Sequence, residues 1–140
     1  MKRNASAVWQ GDLKSGKGVV STQSGALKDS PYGFNTRFED APGTNPEELV
    51  GAAHAGCYAM AMSLALGEKG VTADRIDVKA TVTLDEVDDG FAVTKVHLDV
   101  SASIPGISEP DFQEVAETTK TSCPISKLLS ADITMDAKLA

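Results

Sequence analysis

Residues 45–67, NPEELVGAAHAGCYAMAMSLALG, decide the fold of this chain. Pro46 is favourable at the first position of a helix, and either Asn45 or Thr44 is a suitable N-cap for it. The two glutamates that follow the proline suit the positive end of a helix dipole. We therefore predict a helix that begins at Pro46 and runs to about Gly67.

This helix is apolar on every side. From 49 to 66 there is no charged residue, and the positions outside the apolar set are Gly51, His54, Gly56 and Ser63. A helix that is apolar all round is expected to be buried all round, although a stretch of this length also fits a membrane span. We favour a central helix packed between layers. Because a small domain rarely surrounds a helix completely, a second subunit is expected to cover its far face.

A hairpin follows the helix. From Ile76 to Leu84, apolar and polar residues alternate strictly, and Asp88-Asp89-Gly90 supplies a turn. The returning strand carries an apolar row that ends at Ile104, while Phe91 and Val93 fall on the opposite parity. A bulge near Thr94 and Lys95 would restore one-sided packing. His97 is then expected on the polar face, as a solvated strand histidine with no polar companion at a suitable spacing.

The remaining segments complete an α+β fold. Residues 5–38 contain three strand-like stretches, ASAVWQG, GKGVVSTQ and PYGFNTRF, which indicate an antiparallel meander. A helix is predicted from Ser108 into Cys123, a short helix from Ile125 to Leu129, and a last strand from Asp132 to Leu139. We expect one domain over residues 1–140, with antiparallel sheets around the long buried helix.

Composition limits the function. The net charge of −7 argues against a nucleic-acid partner, because phosphate binding needs clustered lysine and arginine. The first residues contain no apolar stretch of the kind that directs export, so we expect a cytoplasmic protein that does not associate with a membrane. In a reducing cytoplasm, a paired cysteine is more often transient and catalytic than structural.

The two cysteines are the residues with obvious chemistry. Cys57 lies in the apolar helix, and Cys123 precedes Pro124, where the chain must break before a new helix begins. Near a helix N-terminus, the thiolate form of Cys123 is favoured. From the residues alone, four states stay open: a structural disulfide, part of a metal site, two inert thiols, or a redox pair.

Four stretches together resemble the OsmC/Ohr superfamily of thiol peroxidases: PYGFNTRFE (31–39), GTNPEELVGAAHAGC (43–57), DEVDDGFAVTKVHL (85–98) and SCPISKLL (122–129). The resemblance covers nearly the whole chain. It is greatest to the OsmC (osmotically inducible protein C) branch rather than the organic hydroperoxide resistance (Ohr) branch, because Arg37 is expected late in the N-terminal sheet. It implies an OsmC-like fold and an intertwined homodimer with active sites at the interface.

The resemblance also implies roles for four residues. Cys57 corresponds to the peroxidatic cysteine, which becomes a sulfenic acid, and Cys123 corresponds to the resolving cysteine, which closes a disulfide with it. Arg37 and Glu47 match the arginine and glutamate of the family. A guanidinium can favour the thiolate and orient a peroxide, while a carboxylate can hold the guanidinium through a bidentate pair. Organic hydroperoxides are the implied substrates, an external dithiol of the lipoyl type is the implied reductant, and no bound cofactor is expected.

One geometric difficulty accompanies these roles. Glu47 and Cys57 are ten positions apart, so on one straight helix they would be separated by roughly 15 Å. Either the helix bends, at Gly51 or Gly56, or the site is completed across a subunit interface. Two other readings stay open at this point. The first is a zinc site made by His54, Cys57 and Cys123, and the second is a non-enzymatic dimeric binding module with buried cysteines.

Overall fold

The computed structural model describes all residues from 1 to 140, and the chain forms two compact units, residues 1–49 and 50–140. The first unit contains an antiparallel sheet of β1 (Ala5–Gln10), β2 (Lys17–Thr22) and β3 (Ser30–Tyr32). The predicted meander is therefore confirmed for its three strands.

The third strand is shorter than predicted. After Gly33 the chain forms a short helix, α1 (Phe34–Phe38), where the sequence had suggested a continuing strand. The Thr36 hydroxyl accepts a hydrogen bond from the Gly33 N–H at 2.9 Å and donates one back to the Gly33 carbonyl at 3.0 Å. Such local bonds from a short polar side chain favour a turn over an extended ladder. Arg37 consequently lies on a helix, and its expected place in the N-terminal sheet was wrong.

The long helix α2 spans Pro46–Glu68 without interruption, as the sequence predicts. Asn45 is its cap, because the Asn45 side-chain oxygen accepts the Glu48 N–H at 2.8 Å. The helix ends in a turn through Gly70, whose φ of 77° is a left-handed conformation that favours glycine. It is the one helix long and apolar enough to cross a membrane, but its inner side chains pack in a core.

The helix is not buried all round within one chain. One face is buried through Gly51, His54, Tyr58, Met62 and Leu66, a spacing of three and four residues. The opposite face exposes Met60 and Leu64, whose relative accessibilities are 77% and 69%. A single chain therefore buries one face of the helix, and the cover expected from a second subunit over the other face stays a prediction.

The second sheet contains β4 (Arg75–Val87), β5 (Gly90–Ser103) and β6 (Asp132–Leu139). β4 and β5 form the predicted antiparallel hairpin. Its pairing goes from Thr83 with Lys95 to Leu84 with Val93, so Thr94 is the additional residue of a bulge. The predicted bulge is confirmed, and the apolar row of β5 that it aligns is buried: Val96, Leu98, Val100, Ala102 and Ile104.

The last strand differs from the prediction in direction. β6 pairs with β5 in parallel, so this sheet is mixed rather than antiparallel. The two strands are joined by α3 (Glu109–Ser122) and α4 (Pro124–Leu128). Parallel strands need a long crossover of this kind, because the chain must return to the end of the sheet where β5 begins. α3 begins at a Ser108 cap and buries Phe112, Val115, Ala116 and Thr119.

Candidate active site

Two thiols meet in the second unit. Cys57 lies on α2 and is half-buried, whereas Cys123 lies between α3 and α4 and is fully buried. Both are free thiols, and a side-chain interaction between them shifts the pKa of each. The structure therefore brings together the two cysteines that the sequence singled out.

Cys123 occupies a break between two helices. Its backbone angles, φ −55° and ψ 129°, are not helical, and Pro124 occupies the first position of α4. The backbone N–H groups of Ile125 and Ser126 and the Ser126 side chain, all in the first turn of α4, act as donors that lower the pKa of Cys123. The predicted break at Pro124 is confirmed, and it surrounds one sulfur with hydrogen-bond donors.

The surroundings of the two sulfurs shift the pKa values of Cys57 and Cys123 in opposite directions. Burial raises the pKa of the Cys57 thiol, and its hydrogen bond with Cys123 raises it further. Burial also opposes ionisation of Cys123, but the bond from Cys57 and the donors of α4 outweigh it and lower the pKa of Cys123. Cys123 therefore ionises more readily than Cys57.

His54 lies one turn before Cys57 on the buried face of α2. Its ring is fully buried, and its Nε2 lies 2.8 Å from the Ser126 hydroxyl oxygen. Burial lowers the pKa of His54, so the ring is neutral at neutral pH. Its other nitrogen, Nδ1, is buried and has no hydrogen-bond partner.

Tyr58 follows Cys57 on α2 and is fully buried. Its hydroxyl lies 3.0 Å from the Ala116 carbonyl, to which it donates. Burial raises the pKa of Tyr58, and the charges of Glu117 and Cys123 add to that effect. Tyr58 therefore stays protonated and anchors α2 to α3 beside the thiols.

Arg37 and Glu47 form a pair in the first unit. The Arg37 Nη2 donates to Glu47 Oε1 at 2.7 Å, and its Nε donates to both carboxylate oxygens at 3.1 and 3.3 Å. The guanidinium carbon also lies 5.5 Å from the centre of the Phe38 ring. Two donors of Arg37 are thus fixed by Glu47, and Nη1 is left for a ligand.

An apolar cavity of about 210 Å³ lies beside this pair. Most of its lining is aromatic or aliphatic: Trp9, Leu13, Tyr32, Gly33, Phe34, Phe38 and Pro46, with Arg37 as the charged member. Aromatic residues in strands are usually core residues, but Trp9 retains an accessibility of 37%. A small organic group can be held here next to a guanidinium.

Two groups of polar residues were not foreseen from the sequence. Ser126 connects His54 to Cys123, and the signal for it was its position in the short motif Cys-Pro-Ile-Ser. His97 was expected to lack polar companions, but its Nδ1 lies 2.6 Å from the Thr134 hydroxyl and its Nε2 lies 3.2 Å from Asp136. Asp99 lies on the same face, two residues further along β5.

The zinc alternative has no geometric support. The ligand atoms of His97, Asp99 and Asp136 lie within 4.8 Å of one another, as a metal site requires. The two cysteines and His54 do not form such a group. In addition, Nε2 of His54 is engaged by Ser126.

An α+β fold in which two thiols meet at a helix break is typical of thiol-dependent redox proteins. Comparison with known proteins identifies the family. Residues 38–138 match the family model described as OsmC-like protein. The chain is 53% identical to peroxiredoxin OsmC of Escherichia coli K12, with 98% of this chain and 96% of the relative covered. The chain therefore belongs to the OsmC family.

More distant relatives share the fold. The organic hydroperoxide resistance protein OhrB of Bacillus subtilis is 27% identical, with 87% of both chains covered. Its crystal structure superposes with a TM-score of 0.69, covering 98% of each chain. An OsmC-like protein of unknown function from Vibrio cholerae gives a TM-score of 0.78 at 15% identity, with 98% of this chain and 99% of the other covered. The OsmC-like fold expected from the sequence is confirmed.

Proposed function

We propose that this protein is a thiol peroxidase that reduces organic hydroperoxides, and hydrogen peroxide more weakly, through its two cysteines. The observation that carries the proposal is the pair of free thiols that shift each other's pKa, one half-buried and one fully buried. The names of its relatives, a peroxiredoxin and organic hydroperoxide resistance proteins, support the same chemistry. The biological role that fits is defence against oxidative and osmotic stress.

In the first step, the Cys57 sulfur attacks the outer peroxide oxygen and the O–O bond breaks. Because Cys123 ionises more readily than Cys57, the Cys57 proton passes to the Cys123 sulfur as the attack proceeds. Cys57 becomes a sulfenic acid, and the alkoxide takes a proton from water to leave as an alcohol. Cys57 is the attacking sulfur because it is the more accessible of the two.

In the second step, Cys123 attacks the sulfenic sulfur of Cys57. The Cys123 proton leaves with the sulfenic hydroxyl as water, and a Cys57–Cys123 disulfide remains. A dithiol from solution then returns both cysteines to thiols and is itself oxidised to a disulfide. A lipoyl-type dithiol is the reductant that we propose, and the cytoplasm is where such a cycle can operate.

Arg37 and Glu47 are proposed to bind and orient the peroxide. The bidentate contact fixes the guanidinium plane, so the free Nη1 can donate to a peroxide oxygen and stabilise the charge that develops there. The apolar cavity next to Arg37 would hold the organic group, which hydrogen peroxide lacks. This is the physical basis for a preference for organic hydroperoxides.

A homodimer with active sites at the interface is part of the proposal. The exposed face of α2, with Met60 and Leu64 at its centre, is an apolar surface that water would otherwise cover. A second copy of the chain is expected to bury it.

Mass spectrometry of reduced protein after one equivalent of cumene hydroperoxide tests the proposal. We expect two thiols and two hydrogens to be lost, with a Cys57–Cys123 disulfide that a dithiol reverses. Cys57→Ser should abolish turnover. Cys123→Ser should allow one oxidation and then accumulate sulfenic or over-oxidised Cys57. Folded protein with two unreacted thiols would instead favour a non-enzymatic binding module.

A further inference from the structure

His54 is a buried titratable residue that the proposed cycle does not use. Its ring is fully enclosed, yet only one of its two nitrogens has a partner. That partner, the Ser126 hydroxyl, lies in the first turn of α4, three residues after the Cys123 cap, and acts as a donor that lowers the pKa of Cys123. A chain of three side chains therefore leads from His54 on α2 to the sulfur at the start of α4.

The direction of the hydrogen bonds in this chain follows from counting donors. The Ser126 hydroxyl has one hydrogen, and a Cys123 thiolate can only accept. If Ser126 donates to that sulfur, its oxygen must accept from His54, so the imidazole proton lies on Nε2. The nitrogen without a partner, Nδ1, is then a lone pair rather than a buried N–H.

The opposite direction is less favourable. If Ser126 donated to Nε2, the imidazole proton would lie on Nδ1, where it would be a buried donor without an acceptor. The Cys123 sulfur would also lose the hydroxyl as a donor. Buried N–H groups without partners are rarer than under-satisfied acceptors, so the first arrangement is the one that this geometry supports.

We propose that His54 is a positioning residue that, through Ser126, fixes a hydroxyl donor on Cys123 and makes Cys123 the leaving sulfur when the disulfide is reduced. This inference rests on the proposed two-cysteine cycle. A reducing thiolate forms a new S–S bond to Cys57, the Cys57–Cys123 bond breaks, and its electron pair stays on Cys123. The hydroxyl stabilises that negative charge as it develops.

The difference in accessibility between the two sulfurs supports the same order. Cys57 is half-buried and can be reached by a reductant, whereas Cys123 is fully buried. A leaving thiol with a lower pKa leaves faster, so donors on Cys123 accelerate attack at Cys57. His54 and Ser126 would thereby direct the reductant to one sulfur of the disulfide.

The other groups around Cys123 are accounted for. From α2, Cys57 acts as a donor to the Cys123 sulfur. Tyr58, also on α2, is kept protonated by burial, so it carries no charge that could act on Cys123. From α3, Glu117 acts on Tyr58. From α4, the N–H groups of Ile125 and Ser126 are backbone donors that survive substitution of the side chains.

Thiolate absorbance near 240 nm, followed against pH, tests the proposal in a Cys57→Ser background, where Cys123 is the only thiol. Added Ser126→Ala should lower the thiolate fraction of Cys123 at neutral pH about tenfold, and added His54→Leu about threefold. The two changes together should have no more effect than Ser126→Ala alone, because His54 acts through the hydroxyl. His54→Gln, whose amide can donate to Ser126, should restore most of the thiolate.

The rate of disulfide reduction by dithiothreitol in the otherwise unchanged protein is the second measurement. Ser126→Ala and His54→Leu should each slow it, while Ser126→Thr, which keeps a hydroxyl, should not. An unchanged Cys123 titration in folded His54→Leu and Ser126→Ala proteins would overturn the proposal, as would additive effects of the two changes. If His54→Leu fails to fold, the alanine and threonine variants at Ser126 and the His54→Gln variant still decide the question.

These measurements separate the inference from the proposed function. The Cys123 titration needs no peroxide, so it can show the expected shifts even if the protein has no peroxidase activity. Conversely, normal peroxide reduction together with an unresponsive Cys123 would leave the peroxidase standing and remove His54 from it.

Discussion

The Arg37 guanidinium binds the Glu47 carboxylate in a bidentate manner, with its shortest contact at 2.7 Å between Nη2 and Oε1. Arg37 comes from the short helix after β3, and Glu47 comes from the first turn of α2. The contact therefore depends on the Asn45 cap, which begins α2 two residues before Glu47. A charged pair with fixed geometry and a free Nη1 is suited to orienting a small polar substrate.

Arg37→Lys should slow peroxide reduction about tenfold or more, although the positive charge is kept. A lysine cannot make the bidentate contact or present a second donor in a fixed plane. The free energy of unfolding should change by less than about 1 kcal/mol, because the pair is partly exposed to solvent. Stopped-flow kinetics and urea denaturation measure the two quantities. An unchanged second-order rate constant would remove Arg37 from the site.

Phe34→Ser should weaken the reaction with cumene hydroperoxide and spare that with hydrogen peroxide. Loss of the ring removes apolar surface from the cavity beside Arg37, where we propose that the organic group binds. We expect kcat/KM for cumene hydroperoxide to fall about tenfold. Val8→Ser, at an exposed strand position outside the cavity, is the matched control. Equal losses with both peroxides would argue against the cavity as the binding site for the organic group.

Met60→Lys together with Leu64→Lys should yield a monomer. Both side chains lie on the exposed face of α2, and two charges there would have to be buried in a dimer. Light scattering coupled to size exclusion reports the mass directly. Val87→Lys, at the exposed end of β4, is the control and should not alter the mass. A wild-type protein that is already monomeric at micromolar concentration would refute the proposed dimer.

Acid should destabilise the wild-type protein partly through His54. Burial lowers its pKa in the folded state below the unfolded value of about 6.5, so the unfolded chain binds the proton more readily. The stability associated with neutral His54 is complete above that pH and is lost as the pH falls towards the folded pKa. In urea denaturation between pH 7 and 5, His54→Gln should lose less stability than the wild type. Parallel pH profiles for the two proteins would contradict this account.

Local sequence patterns predict much of the fold. The cap at Asn45, the uninterrupted apolar run, the alternation in β4 and the parity change near Thr94 each predicted an element that the structure contains. These features depend on neighbouring residues and on the periods of helices and strands, which a sequence displays directly. The patterns failed at Phe34–Phe38, where a strand-like composition was overridden by the hydrogen bonds of Thr36.

By itself, the sequence predicted which residues carry the chemistry, because Cys57 and Cys123 are its two thiols and the family resemblance singles out Arg37 and Glu47. Only the tertiary structure decided how those groups act on one another. The parallel pairing of β6, the contact between Cys57 and Cys123, and the bond from His54 to Ser126 join residues far apart in the chain. Such contacts arise from the packing of whole elements, and their effects on proton affinity depend on burial and on donors contributed by separate helices.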